Sequence, residues 1–318
     1  MKMASLFAGI GGIDLGFKQA GFEPVWANEI DPACAQTFRL NHDTNLVVDD
    51  ICNIKAKDIP SVSVVAGGFP CQAFSIAGYK KGFADERGGL FFQITRLLKE
   101  KKKQGTPVQV VFLENVKNLY THGGGKTYNA IKQELENIGY HVDAKVLNTC
   151  EYGNLPQNRE RIYIIAFFDK KKLEKFNWPS SIELDNTIDK LICRETPQNK
   201  KYYYTPDMKC YPILQEGIKN RDSVYQYRRV YVRENKSGVC PTLTANMGMG
   251  GHNVPLIIDN SGAIRKLTPK ECLSLQGFPK SFKTPQKMSD TQIYKQAGNS
   301  VSVPVIKRIA AEIYKSLL

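Results

Sequence analysis

The sequence lacks long hydrophobic runs, paired cysteines and histidine clusters. No segment holds the roughly 20 consecutive apolar residues of a membrane span, and the amino terminus is too short and glycine-rich for a signal peptide. We therefore expect a cytoplasmic protein without a membrane association. None of the eight cysteines forms a C-x-x-C pair or a cluster with one of the four histidines, so neither a metal site nor a disulfide framework is expected.

Acidic residues are also in the minority. The chain has 31 acidic residues against 44 lysines and arginines, which gives a formal net charge of +13. A folded protein this basic usually binds a polyanion, so nucleic acid is the leading candidate partner. The lysine runs at 101–103 and 170–172 are better explained as solvated helix ends.

The first half of the chain alternates short apolar runs with amphipathic segments, as βαβ units do. Helical spacing appears at Leu90, Ile94, Leu97 and Leu98, and again towards the carboxyl terminus. We predict an α/β fold with a doubly wound, mostly parallel, Rossmann-like sheet. The predicted strands span residues 3–7, 24–28, 45–48, 62–66, 108–113, 141–147 and 161–167.

A second, smaller domain is predicted where this periodicity fades and tyrosines and prolines become frequent. We assign residues 1–181 and 293–318 to a discontinuous catalytic and cofactor-binding domain. Residues 182–292 form the predicted target-recognition domain, and DNA is expected to lie in the cleft between the two.

A glycine-bearing loop follows the first predicted strand, with Gly9, Gly11 and Gly12 where a ligand can approach the backbone. Asp14 stands where the dinucleotide-binding pattern G-x-G-x-x-G requires its third glycine, which weighs against a nicotinamide cofactor. Glu29 ends the second strand and is suited to accept hydrogen bonds from ribose hydroxyls. Its alternative role is to cap the next helix.

Asp50 ends the third strand, where it can either accept a hydrogen bond from an adenine amine or cap the next helix.

After the fourth strand, glycines and a proline force a tight loop that presents Cys71 at the carboxyl end of the sheet. Glu114 and Asn115 end the next strand at the same edge. A thiolate and a carboxyl group there suit nucleophilic attack on a heterocycle whose ring nitrogen is held or protonated. The alternatives are a buried structural thiol for Cys71 and a helix cap or surface ion pair for Glu114.

Six ordered motifs give the chain a family resemblance over nearly its whole length. It resembles the cytosine-5 DNA methyltransferases of bacterial restriction systems in SLFAGIGG, GGFPCQAFS, LENV, QNRERIYIIA, RKLTPKECLSLQGFP and QAGNSVSVPV. The resemblance implies methyl transfer from S-adenosylmethionine, which becomes S-adenosylhomocysteine, to C5 of cytosine. It also implies that Cys71 attacks C6, that Glu114 holds N3, and that Arg161 and Arg159 contact the base oxygen and position Glu114. For Arg159 a surface ion pair is the alternative.

The resemblance further implies a cofactor pocket. Phe7 would stack on adenine in it, although core packing explains the same residue. The pocket residues are Phe7, Gly9, Gly11, Gly12, Glu29, Ile30, Asp50, Ile51, Pro70, Leu90, Asn299, Ser300 and Val301.

Cytosine within a duplex is inaccessible to such a pocket, so the base has to be flipped out. Residues 72–89 are predicted to form a mobile basic loop that closes over DNA, with contacts from Gln72, Ser75, Lys80, Lys81 and Arg87. Within the recognition region, arginines alternate with tyrosines, which also fits a strand with one packed and one solvated face. The predicted DNA contacts there are Arg228, Arg229, Arg233, Thr242, Leu243 and Thr244.

Three alternatives remain from the sequence: a transfer-RNA cytosine-5 methyltransferase, a non-catalytic DNA-binding protein on the same fold, and a nicotinamide-dependent oxidoreductase. The long recognition region and the loop around Cys71 favour DNA methylation. The family resemblance also implies a monomer that acts on double-stranded DNA, with a cognate restriction endonuclease as functional partner.

Overall fold

The structure is a computed structural model that describes residues 1–70, 89–250 and 253–318. Its chain divides into two compact units. The first comprises Met1–Leu147, Glu160–Ser180 and Val305–Leu318, and the second comprises Asn148–Arg159 and Ser181–Pro304. Each unit has a sheet of its own, of seven strands in the first and four in the second.

The first unit is built on the seven-stranded sheet, in the order β3-β2-β1-β4-β5-β7-β6. Its pairs β1–β2, β1–β4, β2–β3 and β4–β5 are parallel, whereas β7 runs antiparallel to β5. All seven predicted strands and the mostly parallel sheet are confirmed. The strands are β1 Lys2–Leu6, β2 Glu23–Glu29, β3 Asn45–Val48, β4 Val64–Gly68, β5 Val110–Val116, β6 His141–Asn148 and β7 Glu160–Phe167.

Helices of the first unit follow the strands as βαβ units require. Asp31 caps the second of them, accepting a hydrogen bond from Ala33 N at 2.8 Å, and Pro32 occupies its first turn. The helices are α1 Gly12–Gln19, α2 Pro32–Arg39, α3 Gly89–Lys103, α4 Asn118–Thr121, α5 Lys126–Ile138, α7 Lys170–Lys175 and α11 Val303–Leu317.

The basic end of α3 differs from its prediction. The Lys101 side chain is buried and its ammonium group donates to the carbonyl of Ile59. Lys102 Nζ donates to the carbonyl of Ile138 at 2.6 Å. The prediction that these two lysines are simply solvated was therefore wrong. Both donate hydrogen bonds to backbone carbonyls of neighbouring segments.

The second unit contains an antiparallel sheet in the order β11-β10-β8-β9. A small core forms on it from Leu214, Tyr225, Tyr227, Leu256 and Ile264. The strands are β8 Val224–Tyr227, β9 Val232–Asn235, β10 Leu256–Ile258 and β11 Ile264–Lys266. The helices are α6 Thr149–Tyr152, α8 Tyr211–Gly217, α9 Pro269–Leu275 and α10 Asp290–Asn299.

The limits of this unit differ from the predicted residues 182–292 at two places. Segment Asn148–Arg159, between β6 and β7, belongs to it because Asn158 N donates to Cys240 O at 2.8 Å and Cys240 N donates to Pro156 O at 2.7 Å. Helix α10 belongs to it as well, since Gln276 Nε2 donates to the carbonyl of Ala297 at 2.8 Å. Hydrogen bonds between segments that are distant in sequence leave no periodic signal, so these limits could not be predicted from the sequence.

Within residues 1–70, 89–250 and 253–318, no helix is long and apolar enough to cross a membrane. Over the same ranges, no group of three or more histidine, cysteine or acidic side chains is arranged to hold a metal ion. The seven cysteines in these ranges are free thiols.

Candidate active site

A carboxylate and an arginine meet at one edge of the large sheet. The register pairs Glu114 of β5 with Tyr163 of β7, and Arg161 lies two residues from Tyr163. Because side chains alternate along a strand, Glu114 and Arg161 are diagonal neighbours on one face. Arg161 Nε lies 3.2 Å from Glu114 Oε1, and the side chains are only 13% and 11% exposed. An ion pair this shielded from water holds both groups in a defined orientation.

The end of β4 lies beside this pair. Gly68 is the register partner of Glu114, and a Cβ on it would lie 3.3 Å from Glu114 Oε2. The buried Asn115 side chain donates from Nδ2 to the carbonyl of Phe69 at 2.8 Å. Strand β5 thus fixes the chain that leads to Pro70. Cys71 itself lies outside the residues that the structure describes.

The glycine-bearing loop after β1 is held by Glu29. Its Oε2 accepts a hydrogen bond from Gly9 N at 2.7 Å, and its Oε1 accepts from Ile30 N and Asp31 N at 2.8 Å each. A carboxylate has about four acceptor positions, so Oε2 retains capacity for a hydroxyl donor. The following helix is capped by Asp31 and not by Glu29, which instead holds the chain just before that helix and the loop after β1. This arrangement leaves room for the predicted ligand role of Glu29.

The loop backbone is also unusual at Phe7 and Gly11. Phe7 has a φ of 53°, which is costly for a bulky side chain, and it is half-buried against the core. Gly11 has a φ of 82°, and a Cβ there would lie 2.1 Å from His42 Nε2. His42 Nε2 lies 3.2 Å from the carbonyl of Ile10, and burial lowers the pKa of its imidazole. A neutral histidine therefore supports the loop from the protein interior.

Asp14 follows the same loop in the first turn of α1. Its side chain is fully buried, and its Oδ1 accepts a hydrogen bond from Ser5 Oγ at 2.7 Å. Oδ2 has no hydrogen-bond partner among the residues that the structure describes. Burial raises the pKa of Asp14 from 3.8 to about 6, although the Ser5 hydroxyl acts in the opposite direction. A buried carboxyl group, and not a glycine, thus follows the loop.

The remaining predicted pocket residues of the first unit differ in their exposure and in their hydrogen bonds. Asp50 Oδ1 accepts from Cys52 N at 2.8 Å, which closes the turn after β3 and does not cap a helix. Ile51 is 3% exposed and packs in the core. Its predicted contact with the cofactor stays a prediction. Ile30, by contrast, is 60% exposed. Gly12 is buried in α1, Pro70 is exposed and Leu90 is half-buried.

Arg159 has a different environment from Arg161. It is 2% exposed, and its guanidinium donates to the carbonyl of Leu243 at 2.9 Å, to that of Gly298 at 3.2 Å, and to that of Ser300. These partners all lie in the second unit. In this structure Arg159 positions two backbone segments, and it is too buried for the surface ion pair that was the alternative. Its predicted contact with the base stays a prediction.

Those segments pack backbone to backbone. A Cβ on Gly298 would lie 2.2 Å from the carbonyl oxygen of Thr244, so only glycine fits there. Leu243 is 1% exposed and Val301 is 6% exposed, so both side chains pack in the interior. Their predicted contacts, with DNA and with the cofactor, stay predictions. Asn299 is exposed.

The other predicted DNA contacts of the second unit are at its surface or in its loops. Thr242 Oγ1 donates to the carbonyl of Asn158 at 2.6 Å, and Thr244 Oγ1 donates to Asn246 Oδ1 at 2.6 Å. The three predicted arginines Arg228, Arg229 and Arg233 are exposed. The predicted contacts of the basic loop lie outside the described ranges: Gln72, Ser75, Lys80, Lys81 and Arg87.

Two glutamines with structural roles were not predicted. Gln157 and Gln276 are fully buried; Gln157 Nε2 donates to the carbonyl of Leu275 at 2.8 Å and lies 3.3 Å from Gln276 Oε1. Leu243 N donates to Gln157 Oε1 at 3.4 Å. Their only sequence signal was their presence within the motifs QNRERIYIIA and RKLTPKECLSLQGFP.

The sheet, the loop after β1 and the charged strand ends define a Rossmann-like α/β enzyme. A family model described as C-5 cytosine-specific DNA methylase matches residues 1–315. Over 322 aligned residues the chain is 53% identical to Type II methyltransferase M.Bsp6I of Bacillus sp. (strain RFL6), with 100% of each chain covered. It is 36% identical over 332 residues to Type II methyltransferase M.HhaI of Haemophilus parahaemolyticus, covering 100% of this chain and 95% of that one.

The Entamoeba histolytica methyltransferase EhMeth superposes with a TM-score of 0.78 over 100% of this chain and 99% of that chain; its 17% identity supports the fold alone. The chain belongs to the C-5 cytosine-specific DNA methylase family. It is a DNA (cytosine-5-)-methyltransferase, and the family implies S-adenosylmethionine as methyl donor. The oxidoreductase alternative is thereby removed.

Proposed function

We propose that methylation proceeds through a covalent bond between the Cys71 sulfur and C6 of a flipped cytosine, with Glu114 and Arg161 holding the base. The observation that carries this proposal is the shielded Glu114–Arg161 ion pair between the carboxyl end of β5 and the amino end of β7, with 3.2 Å between Nε and Oε1. Only two residues, Phe69 and Pro70, separate Cys71 from Gly68, the register partner of Glu114. Sheet register thus supports a nucleophile that emerges next to the carboxylate.

The residues around the loop after β1 fit an uncharged-sugar nucleoside such as the adenosine of S-adenosylmethionine. Glu29 has remaining acceptor capacity for ribose hydroxyls, Gly9 has open space where a side chain would stand, and Ile30 offers an exposed apolar surface for a purine. No cluster of cations is needed there, since the ligand carries no phosphates. When bound, this cofactor supplies the methyl group as a sulfonium electrophile.

Three side chains would have distinct roles in methyl transfer to the cytosine. The Cys71 thiolate forms the bond to C6, and the electron pair displaced from the C5–C6 double bond makes C5 nucleophilic. Glu114 donates a hydrogen bond or a proton to N3, which draws electron density from C6 during that attack. Arg161 donates to the base oxygen while it keeps the Glu114 carboxyl group in place. After C5 is methylated, loss of its proton returns the electron pair to the ring and releases the Cys71 sulfur.

We further propose that the substrate is double-stranded DNA with a short specific site, and that the active protein is a cytoplasmic monomer. The net charge of +13 supports binding to a phosphate backbone. The name Type II methyltransferase, carried by the relatives, supports a cognate restriction endonuclease as functional partner.

The experiment is bisulfite sequencing of an unmethylated plasmid after incubation with S-adenosylmethionine and either the wild-type protein, Cys71→Ser or Cys34→Ser. We expect the wild type and Cys34→Ser to protect cytosines in one recurring short sequence. Cys71→Ser should bind DNA normally yet lose methyl transfer by about 10³-fold or more. Near-normal turnover by Cys71→Ser would overturn the assignment of the nucleophile.

A further inference from the structure

The loop that follows β3 is held by an arginine of helix α3. We call residues 49–54 the β3 loop; it contains Asp50, which is predicted to accept a hydrogen bond from the adenine amine of the cofactor. Arg96 Nη2 donates to the carbonyl of Ile54 at 2.8 Å and to the carbonyl of Ile51 at 3.1 Å. One guanidinium group therefore satisfies two backbone carbonyls of a loop that belongs to neither a helix nor a strand.

The guanidinium group of Arg96 is itself held in one orientation. Its Nε donates to Gln93 Oε1 at 2.6 Å, and its Nη1 donates to Glu100 Oε1 at 3.1 Å. Both partners lie about one turn away on the same helix. Because the donors of a guanidinium group form a planar fork, these two hydrogen bonds determine the direction in which Nη2 donates to the β3 loop.

The β3 loop is also held from strand β2. The Asn28 side chain is 2% exposed, and its Nδ2 donates to the carbonyl of Asp49 at 2.8 Å. Asp50 therefore lies between two residues whose carbonyls are fixed, Asp49 by Asn28 and Ile51 by Arg96. The position of its backbone is thus set by two side chains that come from different elements of the first unit.

The Asp50 carboxylate is arranged to accept a further donor. Its Oδ1 accepts from Cys52 N at 2.8 Å, which fixes the rotation of the side chain, and the residue is half-buried. A carboxylate has about four acceptor positions, so it keeps capacity for an amine. A hydrogen bond weakens steeply when the acceptor is displaced or misaligned, so recognition of the amine depends on the supports of the β3 loop.

We propose that Arg96 is a positioning residue for the cofactor, which keeps the Asp50 carboxylate where it accepts the adenine amine. The inference rests on the proposed cofactor site and adds to it a residue that acts through Asp50. If Arg96 served only the packing of α3, its loss would lower the free energy of unfolding and weaken all cofactor analogues alike. A positioning role instead affects the recognition of one chemical group.

The test is calorimetric titration with S-adenosylhomocysteine and with its purine analogue, in which hydrogen replaces the amine of adenine. We expect the wild type to bind the amine ligand about tenfold more tightly than the analogue. In Arg96→Gln and Arg96→Lys this preference should fall to about twofold, because neither side chain has the planar fork, while the affinity for the analogue changes little. The ratio of two dissociation constants on one protein is insensitive to any unfolded fraction of a variant.

The control is Lys99→Gln on the same helix. Lys99 forms an ion pair with Glu134 at 2.6 Å and is 49% exposed, so this variant should keep the tenfold preference. Asp50→Ala should reduce the preference as Arg96→Gln does, and the double variant should show no further loss if Arg96 acts through Asp50.

A tenfold preference that persists in Arg96→Gln would overturn the proposal, whether or not both ligands bind more weakly. A wild type that does not distinguish the two ligands would overturn it as well, since no recognition of the amine would exist to be positioned. If the wild type binds neither ligand, the proposed cofactor site itself is contradicted, and the inference is lost with it.

Discussion

The ends of strands β5 and β7 in the first unit bury charged side chains. The hairpin tip of the second unit, residues 228–231 between β8 and β9, exposes apolar side chains. At the strand ends, the charged side chains of Glu114 and Arg161 are 11% and 13% exposed. At the hairpin tip, Val230 is 79% exposed. Each arrangement is unfavourable for the protein without a ligand. Burial removes the hydration of the charged groups, and exposed apolar groups do not gain the free energy of leaving water.

Under the proposed function, the two environments suit different tasks. A shielded ion pair gives direction and a low dielectric to groups that act on one base. An exposed apolar pair gives contact area to a partner that arrives from solution. We therefore expect changes at the strand ends to affect turnover, and changes of exposed apolar residues within a proposed binding surface to affect binding.

The largest effect is expected for Glu114→Gln. The amide keeps the shape of the side chain but cannot transfer a proton to N3, so kcat should fall by about 10²- to 10⁴-fold while DNA binding is retained. The measurement is single-turnover transfer of a labelled methyl group at saturating DNA.

The matched control is Glu160→Gln, one residue from Arg161. Glu160 forms an exposed ion pair with Lys117 at 2.7 Å, with side chains 43% and 50% exposed. Such pairs contribute little, and this variant should keep its turnover. Equal losses in both variants would mean that shielding at the strand ends has no special role.

The second prediction concerns the free energy of unfolding and its dependence on the buried Asp14 carboxyl group, which follows the glycine-bearing loop after β1. The folded-state pKa of Asp14 is raised from 3.8 to about 6, so the folded protein holds this proton more tightly than the unfolded chain does. Wild-type stability should therefore fall as pH rises from about 4 to about 6 and then level off. Asp14→Asn removes this loss and should be more stable than wild type at pH 8 by up to about 3 kcal/mol.

Urea denaturation of both proteins at pH 4.5 and pH 8 measures this difference. The advantage of Asp14→Asn should be smaller at pH 4.5, where the wild-type carboxyl group is largely protonated in the folded state. If the difference in unfolding free energy between the two proteins is the same at both pH values, then the pKa of Asp14 does not change on folding.

The smallest effect is expected for Ile30→Ser. Removing an apolar surface that is 60% exposed should weaken S-adenosylmethionine binding by about three- to tenfold without changing stability. Leu40→Ser, at a residue 45% exposed beyond the end of α2, is the control and should bind the cofactor normally. Calorimetric titration gives both dissociation constants, and equal affinities for wild type and Ile30→Ser would remove Ile30 from the proposed pocket.

Regular structure explains how much of the site the sequence could predict. The alternation of apolar runs and helices located β4 and β5, and parallel strands bring their carboxyl ends to one edge. The prediction that Glu114 lies at that edge needed no further information. The pairing with Arg161 was suggested by family resemblance, since nothing in the sequence shows that β7 runs antiparallel beside β5.

Irregular structure explains what the sequence could not predict. Arg159 and Arg161 stand two residues apart in one motif, yet the first donates to backbone carbonyls and the second to a carboxylate. Contacts between coil segments, such as that of Gly298 with Thr244, depend on the tertiary path of the chain and have no period. The apolar hairpin tip was likewise hidden, because Tyr231 fitted the alternating pattern of a half-buried strand.

The covalent adduct is the most direct test of the central claim. Wild-type protein would be incubated with S-adenosylmethionine and a duplex that carries 5-fluorocytosine at the mapped site, where fluorine at C5 prevents the final release of the enzyme. Denaturing electrophoresis and peptide mass spectrometry should find a stable protein–DNA bond on Cys71, and none in Cys71→Ser. Methylation of ordinary DNA by the wild type without any trapped adduct, or an adduct on another residue, would contradict the account.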